Sequence, residues 1–143
     1  MRSFDADRIN FLVNHPTIRP HAGGDGVSYL DFGPLLTEEN HFLSGEHGGV
    51  FFHWCAPDVY EVHIFILPEG RGRWAYDFAQ AGLDYARSIG AIQLWARVTT
   101  RQMRLFTLAT GFVRRGERSF SCQGHIDSYS IFDWRSTCHQ QQR

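Results

Sequence analysis

The residues best able to do chemistry stand together in the middle of the chain. Glu61 and His63 lie two apart within Tyr60 to Leu67, a run of β-branched and aromatic residues. Alternation along a strand puts both, with Phe65, on one face, and Val62, Ile64 and Ile66 on the other. A carboxylate and an imidazole on one face can accept and relay a proton near neutral pH. Directly after them comes Pro68-Glu69-Gly70-Arg71-Gly72-Arg73, and then a segment of helical periodicity. A strand, a glycine-bearing loop and a helix start, in that order, gather loop amides and the free first-turn amides of the helix at one point. With the helix dipole they form a seat for a phosphate or pyrophosphate. Gly70 and Gly72 leave the backbone open to close approach, while Arg71 and Arg73 add positive charge. The plainer reading of the same residues is a strand-to-helix turn with solvated arginines and a hydrogen-bonded sheet histidine.

The elements that must position these residues are legible around them. Tyr60 to Leu67 is read as a strand, and about Trp74 to Ile89 as a helix. Ala75, Phe78, Ala79, Gly82, Leu83, Ala86 and Ile89 fall on one stripe of that helix. Gly90 follows where a left-handed cap is expected. Ala91 to Val98 reads as the next strand, and Thr99 or Thr100 as the cap of a second helix running to about Thr110 and closed by Gly111. Upstream, Asp5 to Asn14 predicts a short helix ended by His15-Pro16, Val27 to Phe32 a strand, and Thr37 to Asn40 a helical turn. His41 to Ser44 and Val50 to Cys55 predict a hairpin. Arg118 to Cys122 and Asp127 to Trp134 predict another at the end. Strands, then β-α-β-α, then two strands, indicate a mixed sheet with helices on its faces.

Other chemistry is weakly signalled. His15, His21, His41, His47, His53, His125 and His139 form no HExxH and no recognisable metal spacing, so no metal is expected. His47, His53 and Cys55 could converge across the first hairpin, but surface and core roles are the preferred reading of them. Cys55, Cys122 and Cys138 are scattered, without CxxC, and predict reduced, partly buried thiols. A Walker A loop needs lysine, and the chain has none. Gly70-Arg71-Gly72-Arg73-Trp74-Ala75 matches the dinucleotide pattern G-x-G-x-x-G/A. The next strand, however, ends Trp95-Ala96-Arg97-Val98 and lacks the acidic residue such a site uses. A dinucleotide binder is therefore a weaker reading.

A more specific resemblance rests on three features. Leu67-Pro68-Glu69-Gly70-Arg71-Gly72-Arg73 followed by a long helix is similar to the signature loop of the GNAT superfamily of acyl-CoA-dependent N-acyltransferases. Leu108-Ala109-Thr110-Gly111-Phe112 is similar to the end of that family's later helix. The order of elements over Tyr60 to Phe132, about half the chain, matches as well. Small GNAT-like proteins encoded by bacteriophages resemble the chain more closely still, with a His on the central strand, a Pro-Glu-Gly-Arg-Gly loop and an early Asn-His-Pro.

The resemblance implies an α/β (α+β) fold with a mixed, mostly antiparallel sheet, helices on both faces and a splayed pair of central strands. It implies acetyl-CoA as cosubstrate, with backbone groups of Ile64, Phe65 and Ile66 pairing with its pantetheine arm. Arg71, Gly72, Arg73, Trp74, Ala75 and Tyr76 would hold its pyrophosphate, and Thr100 stands where the family has a contacting Asn. Glu61 and His63 are then the candidates for taking a proton from an amine acceptor, small molecule or protein. Trp74 and Tyr76 replace two glycines of the pattern, and Thr107 replaces a tyrosine that commonly acts as acid. A threonine hydroxyl is a far weaker acid than a phenol. A GNAT-fold protein without catalysis, binding CoA or serving as a virion or interaction component, is the second reading.

The bulk properties agree with one domain over 1–143. Hydrophobic residues make up 43% and aromatics 15%, enough for a core. The charged start MRSFDADRIN has no apolar signal core, and no stretch is long enough to span a bilayer. A cytoplasmic protein is expected (host cytoplasm or virion if phage-encoded), with no membrane partner and a homodimer allowed. Charge is uneven: nine acids face three arginines from Met1 to Leu67, a formal −6, and nine arginines face four acids from Pro68 to Arg118, a formal +5. The first part would attract a cationic acceptor and the second phosphates. Arg97, Arg101, Arg104, Arg114, Arg115 and Arg118 are read chiefly as a solvated basic face, so nucleic acid is not expected.

Overall fold

The computed structural model describes residues 1–23, 26–98, 100–116, 118–120, 124–126 and 129–135. It divides into two compact units, Met1–His53 with His63–Gly82, and Trp54–Val62 with Leu83–Arg143. Among the described residues, β1 (His41–Gly45), β2 (Gly48–Ala56), β3 (Val59–Ile66), β4 (Gln93–Arg97), β5 (Val113–Arg115) and β8 (Tyr129–Asp133) form a six-stranded sheet. Its order is β1-β2-β3-β4-β8-β5, and β6 (Arg118–Phe120) with β7 (Gly124–Ile126) makes a separate ribbon. The helices are α1 (Ala6–Val13), α2 (Arg73–Ser88) and α3 (Arg101–Ala109).

In the first unit, α1 starts where the carboxylate of Asp5 accepts the Arg8 N–H at 3.2 Å, a cap that offsets one of the helix's orphan donors. Ile9, Leu12 and Val13, fully buried, pack with Phe42, Phe51 and Phe65. Side chains of this size each stabilise the fold by about 1.5–3 kcal/mol on burial. β1 and β2 are antiparallel, His41 opposite Phe52 and Gly45 opposite Gly48. On the other face of β2, Val50 and Phe52 lie against Gly82 of α2. Helices thus cover both faces, as expected.

Two upstream expectations fail. Residues 27–32 form no strand. Side chains of α1 and its C-cap take backbone groups there: Asn14, the C-cap, both accepts from Leu30 N (2.8 Å) and donates to Leu30 O (2.7 Å), and Asn10 accepts from Phe32 N (2.7 Å). Residues 37–40 are not helical; the turn comes earlier, at Gly33–Leu35. Pro34, with its fixed φ, favours the start of a helical turn there.

In the second unit, β3 and β4 run parallel and pair only as Val59↔Gln93, Tyr60↔Leu94 and Glu61↔Trp95. β3 continues five residues further and β4 two, outside that register. β4 and β5 both pair antiparallel with β8. An antiparallel neighbour at β4 is foreign to a doubly wound dinucleotide fold. Trp95, fully buried, packs with Cys55, Tyr129 and Ile131. Gly90 and Gly111 close their helices at φ +92° and +103°, and Thr100 caps α3 by accepting from Met103 N at 3.1 Å.

The end of the chain departs from its reading. β6 and β7 pair with each other, Phe120 opposite Gly124, whereas β8 goes to the large sheet. Ser121 to Gln123, Asp127 and Ser128 lie outside the described residues. Cys55 is disulfide-bonded, where reduced thiols were expected. Spacing along a chain does not reveal which cysteines the fold brings within the Cα–Cα range a bridge needs, about 4.4–6.8 Å.

Candidate functional site

The loop after β3 is built from the residues upward. Pro68–Gly70 makes one 3-10 turn, in which Gly70 N–H donates to Leu67 O at 2.9 Å. Gly70 is buried, and a Cβ there would sit 2.5 Å from His47 Cβ and 2.8 Å from Trp74 Cε3. Only glycine fits that contact. Arg71 is extended, at φ −68° and ψ 143°. Gly72 then turns the chain at φ +100°, with open space where a side chain would stand, and Tyr76 N–H donates to its carbonyl at 3.2 Å. Gly72 is therefore the residue from which α2 grows, and the amides of Arg73, Trp74 and Ala75 have no preceding-turn acceptor in the helix. The result is a run of exposed backbone, Arg71 to Arg73, at the positive end of a 16-residue helix.

The arginines differ. Arg73 is exposed, and its Nε donates to both carboxylate oxygens of Asp77 at 3.0 and 3.1 Å. Arg71 is exposed one residue before the turn glycine. Trp74, half-buried, directs its indole into the first unit, with ring centroids 5.2 Å from His47 and 4.8 Å from Phe78. In place of the family's glycine it supplies packing beneath the loop. Ala75 is buried and Tyr76 is exposed.

His63 is half-buried on β3, its ring stacked 6.4 Å from Phe65 at 17° and tilted 6.2 Å from Phe51. Ile64 and Ile66 are half-buried and Phe65 is in the core. His63 and all candidates from Ile64 to Tyr76 belong to the first unit, and Glu61 and Thr100 to the second. Glu61 is 1% exposed, with Oε2 3.6 Å from Arg97 Nε. Thr107 Oγ1 donates to Arg104 O at 3.0 Å and lies 3.3 Å from Ser130 Oγ.

The convergence of His47, His53 and Cys55 is not what the structure makes. His47 packs on Trp74 and Cys55 is in its disulfide. His53 instead comes beside His63, with a ring nitrogen of each within 4.8 Å of the other. The signal was present in the sequence: alternation puts Phe51 and His53 on one face of β2, and His63 and Phe65 on one face of β3, but their juxtaposition needs the pairing of the two strands.

No protein-family model matches the chain, and no curated protein sequence matches it. Solved structures do. The aminoglycoside acetyltransferase AAC(6')-Ib in complex with coenzyme A superposes with a TM-score of 0.69 at 12% identity, over 99% of this chain and 96% of that one. The same enzyme in complex with paromomycin and acetyl-CoA gives 0.69 at 14%, over 96% and 92%. A spermidine N-acetyltransferase SpeG chimera from Vibrio cholerae and hSSAT gives 0.66 at 16%, over 94% of each chain. The chain therefore has the fold of the GNAT acetyltransferases.

Proposed function

We propose that this chain is an acetyl-CoA-dependent N-acetyltransferase, a single domain over 1–143 acting in the cytoplasm on an amine acceptor by direct attack. The observation that carries the reading is the loop Pro68 to Tyr76. Its buried Gly70, its open Gly72 at φ +100° and the amides heading α2 support an anion seat there, which would take the cofactor's pyrophosphate. When bound, acetyl-CoA supplies an activated acyl group. Arg71 neutralises phosphate charge, with Arg73 available if it exchanges Asp77 for phosphate. Ile64 to Ile66 lie beyond the described β3–β4 register, which favours pairing of their backbone with an extended arm. An aliphatic amine is protonated at neutral pH and must lose a proton to become a nucleophile. His63, half-buried and stacked on Phe65, is the base in this reading, with Glu61 the second candidate. Neighbours of the same fold are, by their names, spermidine and aminoglycoside acetyltransferases, which favours a cationic acceptor.

One observation favours the alternative of a fold without turnover, structural or CoA-binding and of the phage-encoded kind. Thr107 stands where an acid is expected, its hydroxyl donating to Arg104 O. Thermal-shift titration with acetyl-CoA, CoA and NADP tests the seat by mass action. Acetyl-CoA and CoA are expected to raise Tm, NADP to have no effect, and Arg71→Ala with Arg73→Ala to abolish the rise. Thiol release with an amine panel then tests turnover. Tight CoA binding with a silent panel would leave only the alternative.

A further inference from the structure

The histidine pair in the first unit has a chemistry of its own. His53 and His63 come from neighbouring strands, β2 and β3, with ring nitrogens close enough that one ion could be reached by both after small rotamer adjustments. Two imidazoles bound to one tetrahedral ion at about 2.0–2.1 Å each require nitrogens about 3.3–3.4 Å apart. Both rings are half-buried, so solvent reaches them. Phe51 lies 5.8 Å from the His53 ring and 6.2 Å from the His63 ring, and Phe65 stacks on His63. These aromatic neighbours border both imidazoles and lower the local dielectric, which strengthens an ion–ligand bond.

We propose that His53 and His63 form a two-imidazole site for a divalent late transition metal, Zn²⁺, Ni²⁺ or Cu²⁺, with water completing the coordination. Neutral nitrogen donors select these ions over Mg²⁺ and Ca²⁺, which take oxygen ligands. The sequence carries no metal motif because the two ligands stand on different strands, ten residues apart. The site does not depend on the acyltransferase reading. If both hold, they compete, since a metal-bound His63 nitrogen cannot accept a proton.

The test is calorimetric titration of the chelator-treated full chain with ZnCl₂ and NiCl₂, with Tm followed in parallel. The expected result is one saturable site per chain, weakened at least tenfold in His53→Gln and in His63→Gln. His47→Gln should bind as the parent does, and MgCl₂ should give no saturable heat. Glutamine keeps a polar side chain of similar reach, and circular dichroism verifies that each variant is folded. No binding by the parent, undiminished binding in both histidine variants, or equal binding of Mg²⁺ would overturn the proposal. The acyltransferase reading would stand or fall separately on acetyl-CoA.

Discussion

Asp133, at the end of β8, accepts from Arg135 Nη2 at 2.8 Å, from Arg135 Nε at 3.1 Å and from Gln93 Nε2 at 3.1 Å. The hydrogen bonds from the Arg135 side chain are the main reason its pKa falls to about 2, against an opposing effect of burial. Because the folded value lies below the unfolded one, the contribution is complete above about pH 4 and is lost as pH falls through about 2. At neutral pH it is at most about 2 kcal/mol, reduced by screening at the exposed Arg135. Urea denaturation at pH 6 and pH 3 should show parent and Asp133→Asn differing more at the higher pH. At this same scale, alternation alone places Glu61 beside His63. The ion pair of Glu61 with Arg97 could not be read, because it depends on the parallel register that brings β4 alongside β3.

At the scale of elements, the parts with strong local rules were the legible ones. β3, α2 and the glycines that end α2 and α3 follow from β-branched runs, a helical stripe and left-handed caps. β5 was missed because Val113-Arg114-Arg115 is exposed along its whole length and leaves no burial pattern to read. The false strand at 27–32 had the right composition, but Asn10 of α1 and Asn14 at its C-cap bond the backbone of Leu30 and Phe32 instead. Thr100 carries a prediction here. Its hydroxyl caps α3, a helix with no fully buried residue to hold it by packing, so the cap matters more than it would on a core helix. Thr100→Ala should cost about 1 kcal/mol and Thr100→Ser much less, read as shifts of the denaturation midpoint.

At the scale of the whole molecule, fold and charge carry separate messages. Solved acetyltransferases superpose on nearly the full chain at 12–16% identity, so order and pairing of elements preserve what residue identity does not. The loop motif, the later helix end and the order of elements together anticipated that architecture, the loop because its glycines answer to backbone geometry. The proposed acceptor has no such motif. What the sequence offers is charge, a formal −6 from Met1 to Leu67, which acts at long range. A Debye length of about 10 Å at 0.1 M salt shrinks to about 3 Å at 1 M. On the proposed acetyltransferase reading, the KM for a polycationic amine should therefore rise severalfold from 0.05 to 0.5 M NaCl, while that for a monoamine changes little, in steady-state thiol release.

The asparagine attachment of residues 30–32 has a consequence on a slower clock. Amide side chains hydrolyse to acids as a protein ages, and strand ladders carry no such weak point. Conversion of Asn14 to aspartate would keep the oxygen that receives the Leu30 N–H but delete the nitrogen that donates to the Leu30 carbonyl. In place of that bond, a carboxylate would face a carbonyl oxygen. The segment would come loose through covalent wear in storage, at temperatures far below any at which the core melts.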